Sequence, residues 1–297
     1  MKATYKQSQL LLTHKTNVSF WHRYSTMDMF YVAYGLLIVI AVLISYLLGV
    51  LDWLPYFPEE MDLENMMAPP GTEGYLLGTD FMGRDILSRL IIGIQAYFLP
   101  GMFAVGIALT LGTLFGVLSG YFKGYAEYFV SYLHNILDSM PRLVLILLVV
   151  AAFKPDIYLV MLVLGITCSP LVASLIKDKI ILLQKRNFVE SSVALGLPAT
   201  TIIFKHILWC NCRAIIIIQA TLIMAEAVML EASLSYLGFG VQEPTPSWGN
   251  MVQAGANYLM NGDIWSSTAP ALAILFTVLG FHLLGDGLNN ILEGKRR

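Results

Sequence analysis

Apolar residues in this chain fall in long runs separated by polar stretches. Six runs stand out: Phe30–Val50, Tyr97–Gly120, Phe129–Phe153, Ile157–Ile176, Ala214–Leu237 and Ser267–Gly285. A helix needs about 20 apolar residues to cross the hydrocarbon core of a bilayer. The pattern therefore predicts an all-α integral membrane protein with six transmembrane helices. The first run does not read as a cleaved signal peptide. It is too long, it begins 29 residues in, and no small-residue cleavage site follows it. Within the second run, Ala104, Ala108, Gly112, Gly116 and Gly120 recur every fourth position. That spacing lines one helix face with small residues, where another helix of the chain or of a second subunit can approach closely.

Composition agrees with the pattern. Of 297 residues, 57% are hydrophobic and 13% charged, against about 45–50% and 25% in soluble domains. This excludes a disordered or collagen-like chain and a nucleic-acid binder with a basic face. It also argues against an ordinary soluble enzyme. Net charge is −2, so placement carries more information than the sum. Lys2, Lys6, Lys15 and Arg23 precede the first run. Residues 51–80 hold Asp52, Glu59, Glu60, Asp62, Glu64, Glu73 and Asp80 and no base. Between the fourth and fifth runs lie Lys177, Lys179, Lys185, Arg186, Lys205 and Arg213, and the chain ends Lys295-Arg296-Arg297. The segment after the fifth run has Glu243 and Asp263 and no base. Bases mark the cytoplasmic side. Six crossings put every such cluster there, with both termini cytoplasmic.

The domain reading follows. Residues 1–29 form a cytoplasmic segment, 30–50 the first crossing, and 51–91 an extracytoplasmic loop. A five-helix core covers 92–286, with a cytoplasmic loop at 177–213 and an extracytoplasmic loop at 238–265, before a cytoplasmic tail at 287–297. Arg84 and Arg89 break the charge rule, since they lie on the outer side. Each follows an acid by four residues, as Asp80/Arg84 and Asp85/Arg89. On a short amphipathic helix they would pair. In the loop at 238–265, prolines forbid a continuing helix and Trp248 suits a membrane interface.

The long inner loop has a local shape. A turn or two of helix through Glu190 and Ser191-Ser192-Val193-Ala194-Leu195 stops at Gly196, which accepts the left-handed conformation of a helix end. Pro198 can start the next helix, and Thr200–Trp209 reads as that helix. The result is a rigid helix–Gly–helix elbow able to transmit force from a partner.

Catalytic motifs are missing. Gly78–Asp85 has the G-x4-G spacing of a phosphate loop but lacks its Lys and Ser/Thr. No HExxH, GxSxG or paired CxxC occurs, and Cys210-Asn211-Cys212 is a lone C-x-C that reads as reduced thiols, with no metal site. Glu226 and Glu231 sit in the fifth run. Intramembrane carboxylates face a protein interior or a watery path. Five residues at 3.6 per turn set these two about 140° apart, so they do not form one paired site. Glu226 is the deeper, and either lines a path or bonds a neighbouring helix. Glu231 either snorkels or pairs locally.

The inner loop also resembles the EAA motif of ATP-binding-cassette importer permeases. Glu190, Gly196 and Leu208 fall in its frame. Ser191 and Ser192 replace two alanines, His206 an Ile, and Trp209 a Pro. Lys205-His206-Ile207-Leu208, the block Leu77–Leu90, the block Glu231–Gly249 and the ending Leu283–Leu288 are similar to the "C"-type permeases of the dipeptide/oligopeptide/nickel branch. The resemblance implies a second permease subunit, two ABC ATPases and an extracytoplasmic binding protein, in a bacterial cytoplasmic (inner) membrane. It places a coupling helix at Val189, Glu190, Ser191, Ser192, Ala194, Leu195 and Gly196 for the ATPase. It implies that this chain holds no cofactor, with ATP and magnesium bound by the partner. It gives the first span a peripheral place and the binding protein the outer loops, with Asp80, Arg84, Asp85, Arg89 and Trp248 at an outer gate. Glu226 and Glu231 are path candidates. Without proline at Trp209, the chain should enter the fifth span less sharply bent. Peptides are the expected cargo, with nickel, metal chelates or haem as alternatives. An ion-coupled transporter using Glu226 would leave the elbow unexplained.

Overall fold

The computed structural model describes residues 26–122, 124–153 and 156–292. The basic residues of the amino-terminal segment and the Lys295-Arg296-Arg297 tail lie outside them. The described residues are helical, joined by loops, with isolated bridges at Thr72–Tyr75 and Thr79–Asp85 and no extended strand. In order, the helices are α1 (Thr26–Val50), α2 (Ile86–Gly93), α3 (Phe98–Tyr121), α4 (Tyr125–Asp138), α5 (Arg142–Ala152), α6 (Ile157–Gln184), α7 (Asn187–Ala194), α8 (Ala199–Thr201), α9 (Arg213–Tyr236), α10 (Trp248–Ala256) and α11 (Trp265–Leu292). A π-helical stretch, Ile202–Cys212, joins α8 to α9.

Five helical segments are long and apolar enough to span a membrane: Thr26–Val50, Ile86–Tyr121, Ile157–Gln184, Ala199–Tyr236 and Trp265–Leu292. The helices overrun the apolar runs at several ends, because a helix continues wherever its backbone bonds continue. The third expected span, 129–153, is not one helix. It breaks into α4 and α5 at Ser139-Met140-Pro141, with 76° between the axes. Proline lacks the N–H that a continuing helix needs and pushes the preceding residue out of helical conformation. Here Pro141 instead caps α5 with φ −56° and ψ 125°. By contrast, the entry to the fifth span has no break. Helix runs from Ala199 to Tyr236, straight through Trp209.

Packing separates centre from edge. Two thirds (67%) of the apolar window of α6 is buried, against 17% for α1. The small-residue face of α3 lies against α6: a Cβ on Gly112 would sit 2.5 Å from that of Val172, and one on Gly116 would sit 2.8 Å from the Ala173 carbonyl. The stripe is thus an intrachain seam, where missing side chains let two backbones approach. The buried residues of α1 are Gly35, Val42 and Gly49, one narrow stripe at seven-residue spacing. The helix packs on α11, with Gly35 against Leu284, Gly280 against Ile38, and Asn290 donating to Asp28 at 2.8 Å, while Gly49 meets Gln95 and Ile92.

Candidate functional site

Three groups of sequence-selected residues occupy different levels of the molecule. The first joins the 51–85 loop to the segment after α9. Asp80 and Arg84 pair as expected, Nε to Oδ2 at 2.7 Å, but within a turn and not on a helix. The turn is tight: Gly83 has φ +77°, and a Cβ there would meet the Asp62 carbonyl at 2.0 Å. Asp80 also accepts from the backbone N–H of Met82 at 2.8 Å and of Arg84 at 3.0 Å.

The expected Asp85–Arg89 pair does not form. Asp85 is the N-cap of α2 and accepts from the Ser88 N–H at 2.8 Å and hydroxyl at 2.6 Å. A side chain that satisfies orphan helix donors is not free for a residue one turn on. Arg89 reaches Glu243 at 2.9 Å and the Pro58 carbonyl at 3.2 Å instead. Arg84 also meets Glu243, at 2.9 Å. Glu243, not singled out from the sequence, therefore ties the two arginines together from about 155 residues away in the chain.

Trp248 also turns inward. It opens α10 behind a Ser247–Asn250 capping box and is buried. Its indole N–H donates to the Leu90 carbonyl at 2.9 Å, and its ring packs on Gly93 and Tyr97. No signal near Trp248 announces partners on α2. Side chains of Asp80, Arg84, Asp85, Arg89 and Trp248 are thus folded into the chain and hold two loops together. In the same layer the Asn65 amide and the Tyr75 hydroxyl bind Asp62 and hold its carboxyl below the usual range. Burial, with the Asp62 contact, pushes the Tyr75 phenol up to about 12.

The second group is the elbow, which forms as its turn chemistry dictates. On α7, Val189 and Ser192 are buried while Glu190, Ser191, Ala194, Leu195 and Gly196 are exposed. Two inward residues three apart anchor one face; Val189 joins the apolar core. Gly196 has φ +75°, its N–H bonds the Val193 carbonyl at 2.9 Å, and the Leu197 N–H bonds the Ser192 carbonyl at 3.1 Å. These are the two crossed bonds of a Schellman stop. Val193 and Leu195 remain 58% and 80% exposed, beside Glu190. The turn thus exposes two apolar side chains next to one carboxylate. The π-helical register behind it was not foreseen. There the Asn211 amide donates to the His206 carbonyl, five residues back, at 2.6 Å.

The third group, Glu226 and Glu231, lies on α9. Glu231 is 1% exposed and accepts from the Ser235 hydroxyl at 2.6 Å, with Ser247 of the following segment as a second partner, so it faces no opening. Glu226 behaves differently. Its carboxylate meets the Arg142 guanidinium of α5, and the Cys168 thiol of α6 lies 3.3 Å from Oε2. Arg142 and Glu226 keep 38% and 39% of their side chains exposed. Arg142 was overlooked because it sits inside an apolar run. Its position one residue after Pro141 is the signal that could have found it. The structure thus keeps the two carboxylates apart, as their angular spacing requires, and buries only Glu231 fully within this chain.

Comparison with known proteins converges on one family. The profile of the binding-protein-dependent transport system inner membrane component matches residues 112–297. The chain is 38% identical over 282 residues to the dipeptide transport system permease protein of Escherichia coli K12, covering 93% of this chain and 92% of that one. It is 34% identical over 267 residues to the di/tripeptide transport system permease protein of Pseudomonas aeruginosa, covering 88% and 87%. It is 33% identical over 279 residues to the glutathione transport system permease protein of E. coli O1:K1, covering 93% and 89%. A helical membrane chain with this elbow, matched along nearly its whole length, belongs to the inner-membrane permease components of binding-protein-dependent transport systems.

Proposed function

We infer that the chain is one of two permease subunits of a bacterial peptide importer, driven by two separate ABC ATPases and fed by an extracytoplasmic binding protein. The observation that carries this reading is the exposed elbow. Val189 and Ser192 root it, and Glu190, Ser191, Ala194, Leu195 and Gly196 stand out where an ATPase cleft can receive them. ATP and magnesium belong to that partner, and the permease contributes a stiff lever. Peptide cargo follows the names of the relatives, which specify dipeptide, di/tripeptide and glutathione transport.

Six crossings suit the charge pattern better than five. If the bent pair α4/α5 counts as a crossing, the basic stretch 177–213 shares a side with the amino-terminal bases. If it does not, that stretch falls on the acidic side. On this count both termini are cytoplasmic, and the braced outer layer of Asp80, Arg84, Asp85, Arg89 and Trp248 presents the loops to the binding protein. The core at 92–286 surrounds a path that Glu226 borders, while Glu231 supports the wall.

The test is reconstitution of the whole importer in vesicles. Glu190→Lys and Gly196→Asp should each reduce ATP-driven peptide uptake by about tenfold or more, since Asp strains the left-handed position and Lys reverses the docking charge. The ATPase subunits should co-purify less. Wild-type levels of both in both variants would remove the coupling role. Uptake that follows a proton gradient and ignores ATP would instead favour an ion-coupled carrier.

A further inference from the structure

Arg142, Cys168 and Glu226 arrive from three helices at one depth. Arg142 is ten residues from the Ala152 end of α5, Glu226 ten from the Tyr236 end of α9, and Cys168 eleven from the Ile157 start of α6. At 1.5 Å per residue that is about 15 Å, half of a hydrocarbon core about 30 Å thick. A charged pair at that depth is costly against lipid and belongs on a watery or protein-lined face. This chain's own packing leaves more than one third of each side chain uncovered.

We propose that this pair receives the two ends of a peptide in transit, the ammonium on Glu226 and the carboxylate on Arg142. The proposal rests on the peptide-importer reading above. A free peptide carries one cation and one anion at its termini whatever its side chains. Moving both away from water is expensive unless each meets an opposite charge. One carboxylate and one guanidinium supply that complement, and a guanidinium fork fits a carboxylate in two parallel bonds. Because only termini are read, the site tolerates any sequence between them.

In the structure Arg142 and Glu226 pair with each other, so neither charge is left alone. A dipeptide spans about 7 Å at full extension, so entry must part the two groups by a similar distance. Arg142 can move. It starts α5 directly after the 76° bend, with no helical turn before it. The Cys168 thiol, a weak donor, is readily displaced from Glu226.

The test uses the complete importer, both permeases with ATPases and binding protein, in lipid vesicles at saturating loaded binding protein. Arg142→Met combined with Glu226→Leu replaces the pair by apolar residues of similar size, a change that a merely structural pair usually tolerates. The double variant should assemble and keep the ATP hydrolysis stimulated by loaded binding protein, yet take up alanyl-alanine about tenfold more slowly or worse. Glu226→Gln should impair peptides with a free ammonium about fivefold more than N-acetylated ones, and Arg142→Gln should do the same for free over amidated carboxyl ends. Normal uptake by the assembled double variant overturns the proposal. So does equal loss for free and capped peptides. If the double variant fails to assemble, the two glutamine variants decide through the end-group ratio. Wild-type vesicles that accumulate no peptide with ATP would overturn the importer reading itself, a failure seen before any variant is compared.

Discussion

The molecule contains two arginine–carboxylate clusters that look alike in a contact list and differ in construction. In the loop cluster, Arg84 and Arg89 keep 4% and 1% of their side chains exposed, and Asp80 keeps 8%. Every group there has several partners. Asp80 holds two backbone N–H groups as well as Arg84, and Arg89 holds Pro58 as well as Glu243. In the bundle, Arg142 and Glu226 have each other, a thiol and an open side. A cluster that is enclosed and satisfied by its own chain fixes geometry. A charged cluster that its own chain encloses only in part belongs on a watery or protein-lined face. The lesson is that two charge pairs alike in distance can differ widely in how far their own chain encloses them.

The sharpest way to break this contrast is to remove Asp80. Asp80→Ala leaves two buried guanidinium groups sharing the partly exposed Glu243. Loss of one member of a buried ionic cluster costs about 3–5 kcal/mol. The variant should be depleted from assembled complexes and lose most of its thermal stability in detergent. A melting temperature near wild type would mean that the loop cluster is as dispensable as a surface pair. Asp85→Ala should cost less, about 1 kcal/mol, since it deletes a helix cap and strands no charge. Its signature is local. Hydrogen exchange should rise at Ser88 and its neighbours, while the rest of the chain stays protected.

Much of this architecture is legible in sequence, for physical reasons. The α3 stripe is readable because small residues every fourth position have one purpose in a lipid-embedded helix. The elbow is readable because Gly196 and Pro198 fix their backbone locally. The broken third span is not read from hydropathy, which averages over Pro141 and Arg142 and sees only an apolar run. The contacts of Trp248 and Glu243 are not legible for another reason. Their partners, Leu90 and Gly93 for one and Arg84 and Arg89 for the other, lie about 155 residues away. No local pattern encodes such a contact. Glu226 and Glu231 fall between these cases. Spacing gives the angle between them, but only packing decides which one is enclosed.

The smallest expected effect is the one that decides the comparison. Glu226→Gln keeps the shape and an acceptor oxygen for Arg142 and removes only the charge. Interhelical polar contacts in membranes average about 0.6 kcal/mol, and this pair is partly exposed, so the folding cost should not exceed that. The variant should express, assemble and melt within a degree or two of wild type, on the order of what such a small change shifts in a large chain. A loss of stability comparable to Asp80→Ala would make the bundle pair a brace of the same kind as the loop cluster. Its open side would then need another explanation, such as cover by the second permease. Unchanged melting together with impaired uptake would separate the two clusters cleanly. The charge at Glu226 would then matter during transport and not during folding, which is the behaviour expected of a group whose proper partner is only passing through.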